Sequence, residues 1–234
     1  MSSERTDAGE ESITPRAGDS PRADDRSGRL GFVAHEVRNP LSTALWTAEL
    51  MARMSAEDRG GARGEKMSAM MLRALGRVRQ LIEDHFLSER LDAGGIPLRS
   101  EPVGLRVALQ AAAARKPPDA GEVKVDVDEA VVVRADRVLL ERALDALVAA
   151  AARDGAGASA TARGHGERVV LRMAGAPLPD LALVDPVKGS TSDPKGRALS
   201  LPLARRIAEA LRGQLSVVGG GLELELPAGE ADAS

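Results

Sequence analysis

The chain has 234 residues, a formal net charge of −3, no cysteine and, as its aromatic residues, two phenylalanines and one tryptophan. A length of roughly 100–200 residues per domain leaves room for one or two domains. The missing cysteines exclude disulfides, Cys-ligated zinc, iron–sulfur clusters and thiol catalysis. Three histidines make a His-rich metal site a poor expectation, so we predict no metal site. The slightly acidic charge balance provides no basic field for nucleic acid or an anionic membrane surface.

The sequence contains no membrane signal. No apolar run approaches the roughly 18 residues that suggest a membrane span. The most apolar stretch, residues 138–152, is interrupted by Glu141, Arg142 and Asp145. The N-terminus has no apolar core of the kind that a signal peptide requires. We therefore expect a cytoplasmic protein with neither membrane nor nucleic acid as a partner.

The composition divides the chain into three parts, which we place at 1–28, 29–95 and 96–234. Residues 1–28 are rich in Ser, Asp, Glu, Arg, Gly and Pro and hold a single large aliphatic residue, Ile13. Such a segment cannot bury enough apolar surface to offset the entropy lost on ordering. We expect a disordered tail there.

Two seams of apolar residues at spacings of three and four follow the tail and predict two helices. The first seam consists of Leu30, Ala34, Val37, Leu41, Ala44, Ala48 and Met51, and the second of Met67, Met71, Ala74, Val78 and Leu81. Three glycines in residues 55–64 predict a loop between the helices, and Gly94-Gly95 predicts the end of the second one. The result is an antiparallel hairpin over 29–95. One hairpin has a small core, so pairing of two copies into a four-helix bundle is its natural completion.

Residues 96–234 alternate between strand-like and helix-like patterns. Strands are predicted at 123–127, 131–133, 160–163, 168–173, 215–218 and 222–226, and helices at 137–153 and 199–211. The glycines at 219–221 predict a closing hairpin between the last two strands. Helices interspersed with mostly antiparallel strands indicate an α+β sandwich.

The most informative stretch is His35-Glu36-Val37-Arg38-Asn39-Pro40-Leu41, near the start of the first helix. Proline inside a helix costs about 3 kcal/mol and removes a backbone donor, so a local bend is expected. His35 lies one position off the apolar seam and should be reachable from solvent. Arg38 and Asn39 share its face at i+3 and i+4. A zinc-protease motif is excluded, because the position of its second histidine is Asn39.

This stretch resembles the phosphoacceptor H-box of sensor histidine kinases, whose common form is His-Glu-hydrophobic-Arg-Asn/Thr-Pro-Leu. The resemblance extends from Leu30 to Pro227 and implies a dimerisation and phosphotransfer hairpin followed by a GHKL-type ATP-binding α/β sandwich. By analogy, His35 carries the phosphoryl group, and Glu36 orients the imidazole or accepts its proton. Asn39 would position a water that dephosphorylates a partner receiver. With Arg38, these are the four candidate catalytic residues.

The resemblance also implies that the ATP site has degenerated. Ala150 stands at the Mg²⁺-binding Asn position, and Met173 replaces the Asp that recognises adenine. The late glycine-rich motif reads Gly196-Arg197-Ala198-Leu199-Ser200-Leu201, which lacks two of its three glycines. Asn39 is the only asparagine in the chain, so no alignment restores an Asn to the second domain. Asp145 or Asp154 is the alternative metal ligand, and residues such as Asp185 have no assigned role.

The favoured interpretation is a histidine phosphotransfer protein of a phosphorelay. It would form a homodimer and exchange phosphate between His35 and receiver-domain aspartates of response regulators, which act in trans. We expect no stably bound cofactor: ATP binding is lost, and the receiver supplies Mg²⁺. The first alternative is an autophosphorylating kinase with an unusual ATP site, and the second is a non-catalytic pseudokinase scaffold. Whether the chain is itself an enzyme therefore stays open at this point.

Overall fold

The computed structural model describes residues 21–186 and 198–229. Its N-terminal part is an antiparallel helical hairpin, in which the first and third helices pack against each other. Its bounds are α1 Pro21–Arg53, α2 Ala56–Gly60 and α3 Ala62–Asp92. The start of α1 meets the end of α3, where the Arg29 guanidinium bonds the carboxylates of Glu89 and Asp92.

Two expectations for this part need correction. Helix α1 begins at Pro21, so the boundary predicted at residue 28 falls inside a helix, and the rest of the predicted tail, residues 1–20, lies outside the described residues. The loop predicted at 55–64 is also wrong, because it contains α2 and the start of α3. The Ser55 hydroxyl caps α2 by accepting a hydrogen bond from the backbone N–H of Asp58 at 3.1 Å.

Gly64 lies within α3 and not in a turn, and its missing side chain allows the backbone of α2 to approach closely. A Cβ at this position would lie 2.0 Å from the backbone oxygen of Arg59. Only glycine lets α2 and α3 pack this closely. A glycine-rich stretch that reads as a loop in the sequence is therefore a packing site in the structure.

Helix α1 has two distinct faces, one that packs against α3 and one that is exposed. The face against α3 includes Arg29, Val33, Glu36, Ala44 and Thr47, all buried. Much of the seam predicted from the sequence lies on a second face, which the chain itself leaves exposed. Exposed apolar side chains on that face and its counterpart on α3 are Leu30, Leu41, Leu45, Leu72, Leu75, Ile82 and Phe86; we call this set the apolar stripe.

The two halves of the apolar stripe lie on the same side of the hairpin. At 3.6 residues per turn, each half lies roughly 120° around its helix from the face that packs on the other helix. Because α1 and α3 are antiparallel, these rotations carry both halves to one side. His35 lies roughly 120° around α1 in the opposite sense, so it is on the other side of the hairpin.

The C-terminal part contains seven strands and three α-helices within the described residues. Its bounds are β1 Glu101–Gly104, α4 Leu105–Arg115, β2 Val123–Asp126, β3 Val132–Ala135, α5 Arg137–Ala151, β4 Ala158–His165, β5 Arg168–Ala174, α6 Ser200–Ala210, β6 Gln214–Val218 and β7 Gly221–Pro227. Short 3₁₀ turns lie at Arg153–Gly155 and Asp180–Leu183. The sequence patterns located most of these elements but missed β1 and α4.

The strands form a five-stranded sheet in the order β2-β4-β5-β7-β6 and a separate β1-β3 pair. Only the β2-β4 pairing is parallel; the other named pairings are antiparallel. Helices α4, α5 and α6 contribute to one core with the sheet, represented by Leu109, Leu144, Leu171 and Ile207. The architecture is the predicted one, a helical hairpin followed by an α+β sandwich. No helix in the described ranges has the length and hydropathy needed to cross a bilayer.

Candidate functional site

His35 lies on an open part of the α1 surface. Its side chain is 57% exposed, and its Nδ1 atom faces the Oε1 atom of Glu36 at 3.4 Å. With the imidazole in this orientation, Nδ1 is directed to a carboxylate and Nε2 is the ring nitrogen left for other chemistry. A carboxylate on Nδ1 favours the tautomer that carries its proton there, which leaves a lone pair on Nε2.

Glu36 is unusual because its carboxylate is buried. The side chain is 4% exposed, although glutamates are almost never fully buried unless they are paired. It lies on the face of α1 that packs against α3, whereas His35 lies outside that contact. The surrounding structure therefore holds the carboxylate in place beside an accessible imidazole.

Arg38 and Asn39 are both exposed and follow His35 by one helical turn. The helix continues through Pro40 to Arg53. Beyond the proline, the hydroxyl of Thr43 donates to the backbone oxygen of Asn39 at 3.1 Å. The structure thus places all four candidate residues, His35, Glu36, Arg38 and Asn39, on adjacent turns of one helix.

The C-terminal part packs directly against this region. Phe32, Val33 and Leu81 of the hairpin form a buried cluster with Leu199, the residue before α6. Val37 and Ala198 pack against the same cluster. Two residues of the altered glycine-rich motif therefore belong to, or pack against, a cluster that includes residues of the helix carrying His35. The first two residues of that motif, Gly196 and Arg197, lie outside the described residues.

The positions expected to serve a nucleotide carry apolar groups. Ala150 is buried on α5, and Met173 is 1% exposed within the main core. Neither offers an oxygen, which is the ligand type that Mg²⁺ prefers and the acceptor type that an adenine amino group needs. Asp145, the first alternative ligand, accepts a bidentate interaction from the Arg115 guanidinium, with contacts of 2.9 and 3.1 Å to Oδ1.

Gly175 is retained near Met173, but its surroundings explain it without a ligand. A Cβ there would lie 2.2 Å from the backbone oxygen of Ala151 and 3.1 Å from the Cβ of Ala158. The glycine is thus required by the packing of β5 against the end of α5. The groups present at these positions do not fit a Mg²⁺–nucleotide complex.

The hairpin and the C-terminal part are also joined by charged side chains that the sequence analysis did not single out. Arg29, which is 2% exposed, bonds Glu89 and Asp92 of α3 and Asp185, which follows the second 3₁₀ turn. Arg206 of α6 bonds the same two aspartates, Asp92 and Asp185. Sequence periodicity could not reveal this cluster, because its members come from four separate segments.

A third charged contact joins the two parts farther along α3. The Arg142 guanidinium on α5 bonds the carboxylate of Asp84, which is buried on α3. Burial raises the pKa of Asp84 above its usual value, although Arg142 opposes the shift. Next to this pair, α3, α4, α5 and α6 enclose a cleft of about 480 Å³.

The remaining histidines are not part of the site. His85 lies on α3, and its buried Nδ1 atom has no hydrogen-bond partner within the described part of the chain. His165 is the last residue of β4 and precedes a turn.

Solved structures of histidine kinases share this architecture. The chain superposes on the Acinetobacter baumannii histidine kinase AdeS with a TM-score of 0.63 and 16% identity, over 82% of this chain and 97% of that chain. It superposes on full-length ShkA, determined in complex with AMPPNP, with a TM-score of 0.60 and 23% identity. That match covers 88% of this chain and 46% of ShkA, so this chain spans about half the length of ShkA.

No protein-family model matches the sequence, and no curated protein matches it. At these identities the likeness establishes the fold alone. The chain has a sensor-histidine-kinase-type fold, a helical hairpin followed by a GHKL-like α+β domain, which confirms the fold that the H-box resemblance implied.

Proposed function

We propose that this chain is a cytoplasmic histidine phosphotransfer protein of a two-component phosphorelay. The observation that carries the proposal is the contrast between its two candidate sites. His35 is exposed with the buried Glu36 carboxylate beside its Nδ1 atom. The positions expected to serve ATP hold Ala150 and Met173, whose side chains are buried and apolar. The residue that would accept phosphate is thus retained, whereas the site that would hold the ATP donor is altered.

The chemical step is an in-line transfer between a receiver aspartyl phosphate and His35. The Nε2 lone pair attacks phosphorus, an N–P bond forms, and the P–O bond to the receiver carboxylate breaks. Glu36 accepts a hydrogen bond from Nδ1–H and stabilises the positive charge that develops on the ring. The receiver's acidic pocket supplies the Mg²⁺ that neutralises the phosphoryl oxygens. The reverse sequence passes the phosphoryl group to a second receiver.

Asn39 has a separate part in the proposal. It shares the face of His35 and is exposed, so its amide can reach the active pocket of a docked receiver. There it would orient a water that hydrolyses the aspartyl phosphate. Arg38, on the same face, adds a positive charge that complements the phosphoryl group.

We further propose that two copies form a homodimer through the apolar stripe. Seven large apolar side chains of the hairpin are exposed on the side opposite His35. The C-terminal part does not cover this side, because it packs on α3 through Asp84, Leu87 and Leu91, which lie around the helix towards the His35 side. A second hairpin would bury the stripe in a four-helix bundle and leave both His35 residues accessible.

The test uses the full chain with Mg²⁺ and two phosphate donors. The first is γ-labelled ATP, and the second is a panel of receiver domains charged with labelled acetyl phosphate. We expect no label from ATP, transfer from a charged receiver to wild type, and no transfer to His35→Ala.

Each other outcome selects an alternative. Label from ATP that disappears in His35→Ala would make the chain an autophosphorylating kinase. Receiver binding without transfer, unchanged in His35→Ala, would make it a pseudokinase scaffold. An Arg163→Ala variant is the matched control, since Arg163 is an exposed residue on β4, away from the hairpin.

A further inference from the structure

The charged cluster between the hairpin and the C-terminal part is a closed ring. Arg29 and Asp92 belong to the hairpin, and Asp185 and Arg206 belong to the C-terminal part. Arg29 Nη2 is 2.8 Å from Asp92 Oδ2, and Arg29 Nη1 is 3.0 Å from Asp185 Oδ2. Arg206 Nε is 2.9 Å from Asp92 Oδ1, and Arg206 Nη1 is 3.0 Å from Asp185 Oδ1. We call these four residues the ionic ring.

Arginine and aspartate alternate around the ring, and each arginine binds both aspartates. Arg29 also bonds Glu89, and Asp185 Oδ2 accepts hydrogen bonds from both arginines. Two of the four contacts, Arg29–Asp185 and Arg206–Asp92, cross between the two parts of the chain. Separating the parts would therefore break two charge-assisted contacts at once and leave a partly bonded arginine on each side.

Burial removes the ring from water while the two parts are together. Arg29 is 2% exposed, and Arg206 is 11% exposed, so each guanidinium depends on its carboxylate partners for hydrogen bonds. Removing one partner from the closed interface leaves an uncompensated buried charge. The pKa of Asp185 shows the balance: burial alone would raise it, but the hydrogen bond from Arg206 and the charges of Arg206 and Arg29 hold it below its usual value.

Two further contacts reinforce the ring along the same interface. The apolar cluster of Phe32, Val33, Leu81 and Leu199 lies next to His35. The Arg142–Asp84 pair joins α5 to α3 farther along the hairpin. The interface is thus fastened at three places, two of them by charged groups and one by apolar burial.

The fastened arrangement still leaves His35 open. Its side chain is 57% exposed while all of these contacts are formed. A domain that delivers a nucleotide phosphate to a histidine must approach it and then withdraw before a receiver can dock. Here the imidazole is accessible to solvent while the ring is closed.

We infer that the ionic ring clamps the C-terminal part permanently to the hairpin, so that this part is a stationary brace for the His35 helix and not an arm that moves to and from it. Arg29 and Arg206 act as positioning residues at the two ends of the clamp. The geometry of the clamp is independent of the chemistry at His35; only its consequence for phosphotransfer rests on the proposed function.

The test measures the distance between the two parts directly. The chain has no native cysteine, so Glu83→Cys on α3 and Thr161→Cys on β4 provide the only two attachment sites for spin labels. Labelled chain is diluted into excess unlabelled chain so that distances within one chain dominate. Pulsed electron paramagnetic resonance then gives the distribution of distances between the two spin labels. We expect one narrow distance that does not change when Mg²⁺ and ATP are added. Several populated distances between the labels, in a chain whose ionic ring is unmodified, would overturn the proposal.

Ring variants connect that distance to the residues. Arg29→Ala combined with Arg206→Ala should broaden the distribution, whereas Arg168→Ala combined with Arg172→Ala should not. The control removes the same charge from residues that pair with Glu225 and Glu223 inside the C-terminal part. An unchanged narrow distance in the ring variant would show that the ring is not the clamp. If the double variant does not fold, Asp185→Asn opens the ring while keeping its shape.

The two proposals fail separately. The distance measurement uses no receiver and no phosphate donor, so it stands whether or not His35 transfers phosphate. A narrow distance with no transfer would contradict only the proposed function. Transfer to His35 with a broad distance would contradict only the clamp.

Discussion

Phe32 on α1 and Leu199, the residue before α6, pack into one buried cluster. Phe32 precedes His35 by three residues on the same helix. By the resemblance to histidine kinases, Leu199 belongs to the altered glycine-rich motif. In this chain the same segment packs a leucine into a cluster with residues of α1 and α3. A position that resembles part of a ligand site is thus occupied by an interface between two parts of the chain.

The first prediction concerns this contact. Leu199→Ala should lower the free energy of unfolding by about 2–5 kcal/mol, because it opens a cavity in a buried cluster. Urea denaturation measures the change. Leu181→Ala is the control, since Leu181 is 74% exposed and its removal should cost less than about 0.5 kcal/mol. Equal effects of the two variants would contradict the packing role of Leu199.

The second prediction concerns Glu36. Glu36→Gln keeps the size of the side chain but removes the charge beside His35 Nδ1. We expect the rate of phosphoryl transfer from a charged receiver to His35 to fall by roughly 10²–10⁴-fold, the range typical of a lost proton-handling group. Quench-flow kinetics with labelled phosphate measure the rate. Glu83→Gln, at an exposed position on α3, should leave the rate unchanged.

A structural defect would give a different result from a chemical one. If Glu36→Gln lowers the melting temperature and the transfer rate together, the Glu36 carboxylate acts through the fold. If the melting temperature holds and only the rate falls, the carboxylate acts on the imidazole.

The third prediction concerns the apolar stripe. Leu75→Glu combined with Ile82→Glu places two charges where a second copy would pack, and charged groups are almost never buried without partners. We expect the variant to be a monomer, as measured by light scattering after size-exclusion chromatography. Val107→Glu should remain a dimer, because Val107 is exposed on α4, outside the hairpin. A dimer that survives the double substitution would place the dimer contact elsewhere.

The fourth prediction concerns pH and the ionic ring. The pKa of Asp185 is lowered in the folded chain: burial opposes the shift, but Arg206 and Arg29 outweigh it. Its contribution to stability is therefore complete above the unfolded-state pKa of about 3.9 and is lost as the pH falls below that value through the folded-state pKa. Asp185→Asn should destabilise the chain at pH 7, and the difference from wild type should shrink below about pH 4.

The pKa of Asp84 is shifted in the opposite direction from that of Asp185, so Asp84 serves as an internal control. Burial raises its pKa, so its carboxylate is disfavoured in the folded chain, and stability falls as the pH rises through the folded-state pKa. Asp84→Asn should therefore be less harmful at pH 7 than Asp185→Asn. The measurement is urea denaturation of both variants at pH 7 and at pH 3.5. The same pH response in both would contradict this assignment of charges.

The sequence by itself determined the local features whose information lies within a few neighbouring residues. The spacing of Leu30, Leu41 and the other seam residues predicted a helix and its apolar side, and the run from His35 to Leu41 predicted the candidate site. Alternating apolar residues located most strands of the C-terminal part. These features follow from the periods of helix and strand, which a local pattern records directly.

The tertiary structure alone decided which side of α1 the chain itself buries. Leu30 and Leu41 of the predicted seam lie in the exposed apolar stripe, whereas seam residue Ala44 is buried. The face against α3 also contains Arg29, Glu36 and Thr47, which no hydrophobic pattern would select. The same holds for the ionic ring, because Asp185 lies 156 residues from Arg29 along the chain. Charged groups are buried only where distant segments bring them a partner, so their position is a property of the whole fold and not of any local stretch.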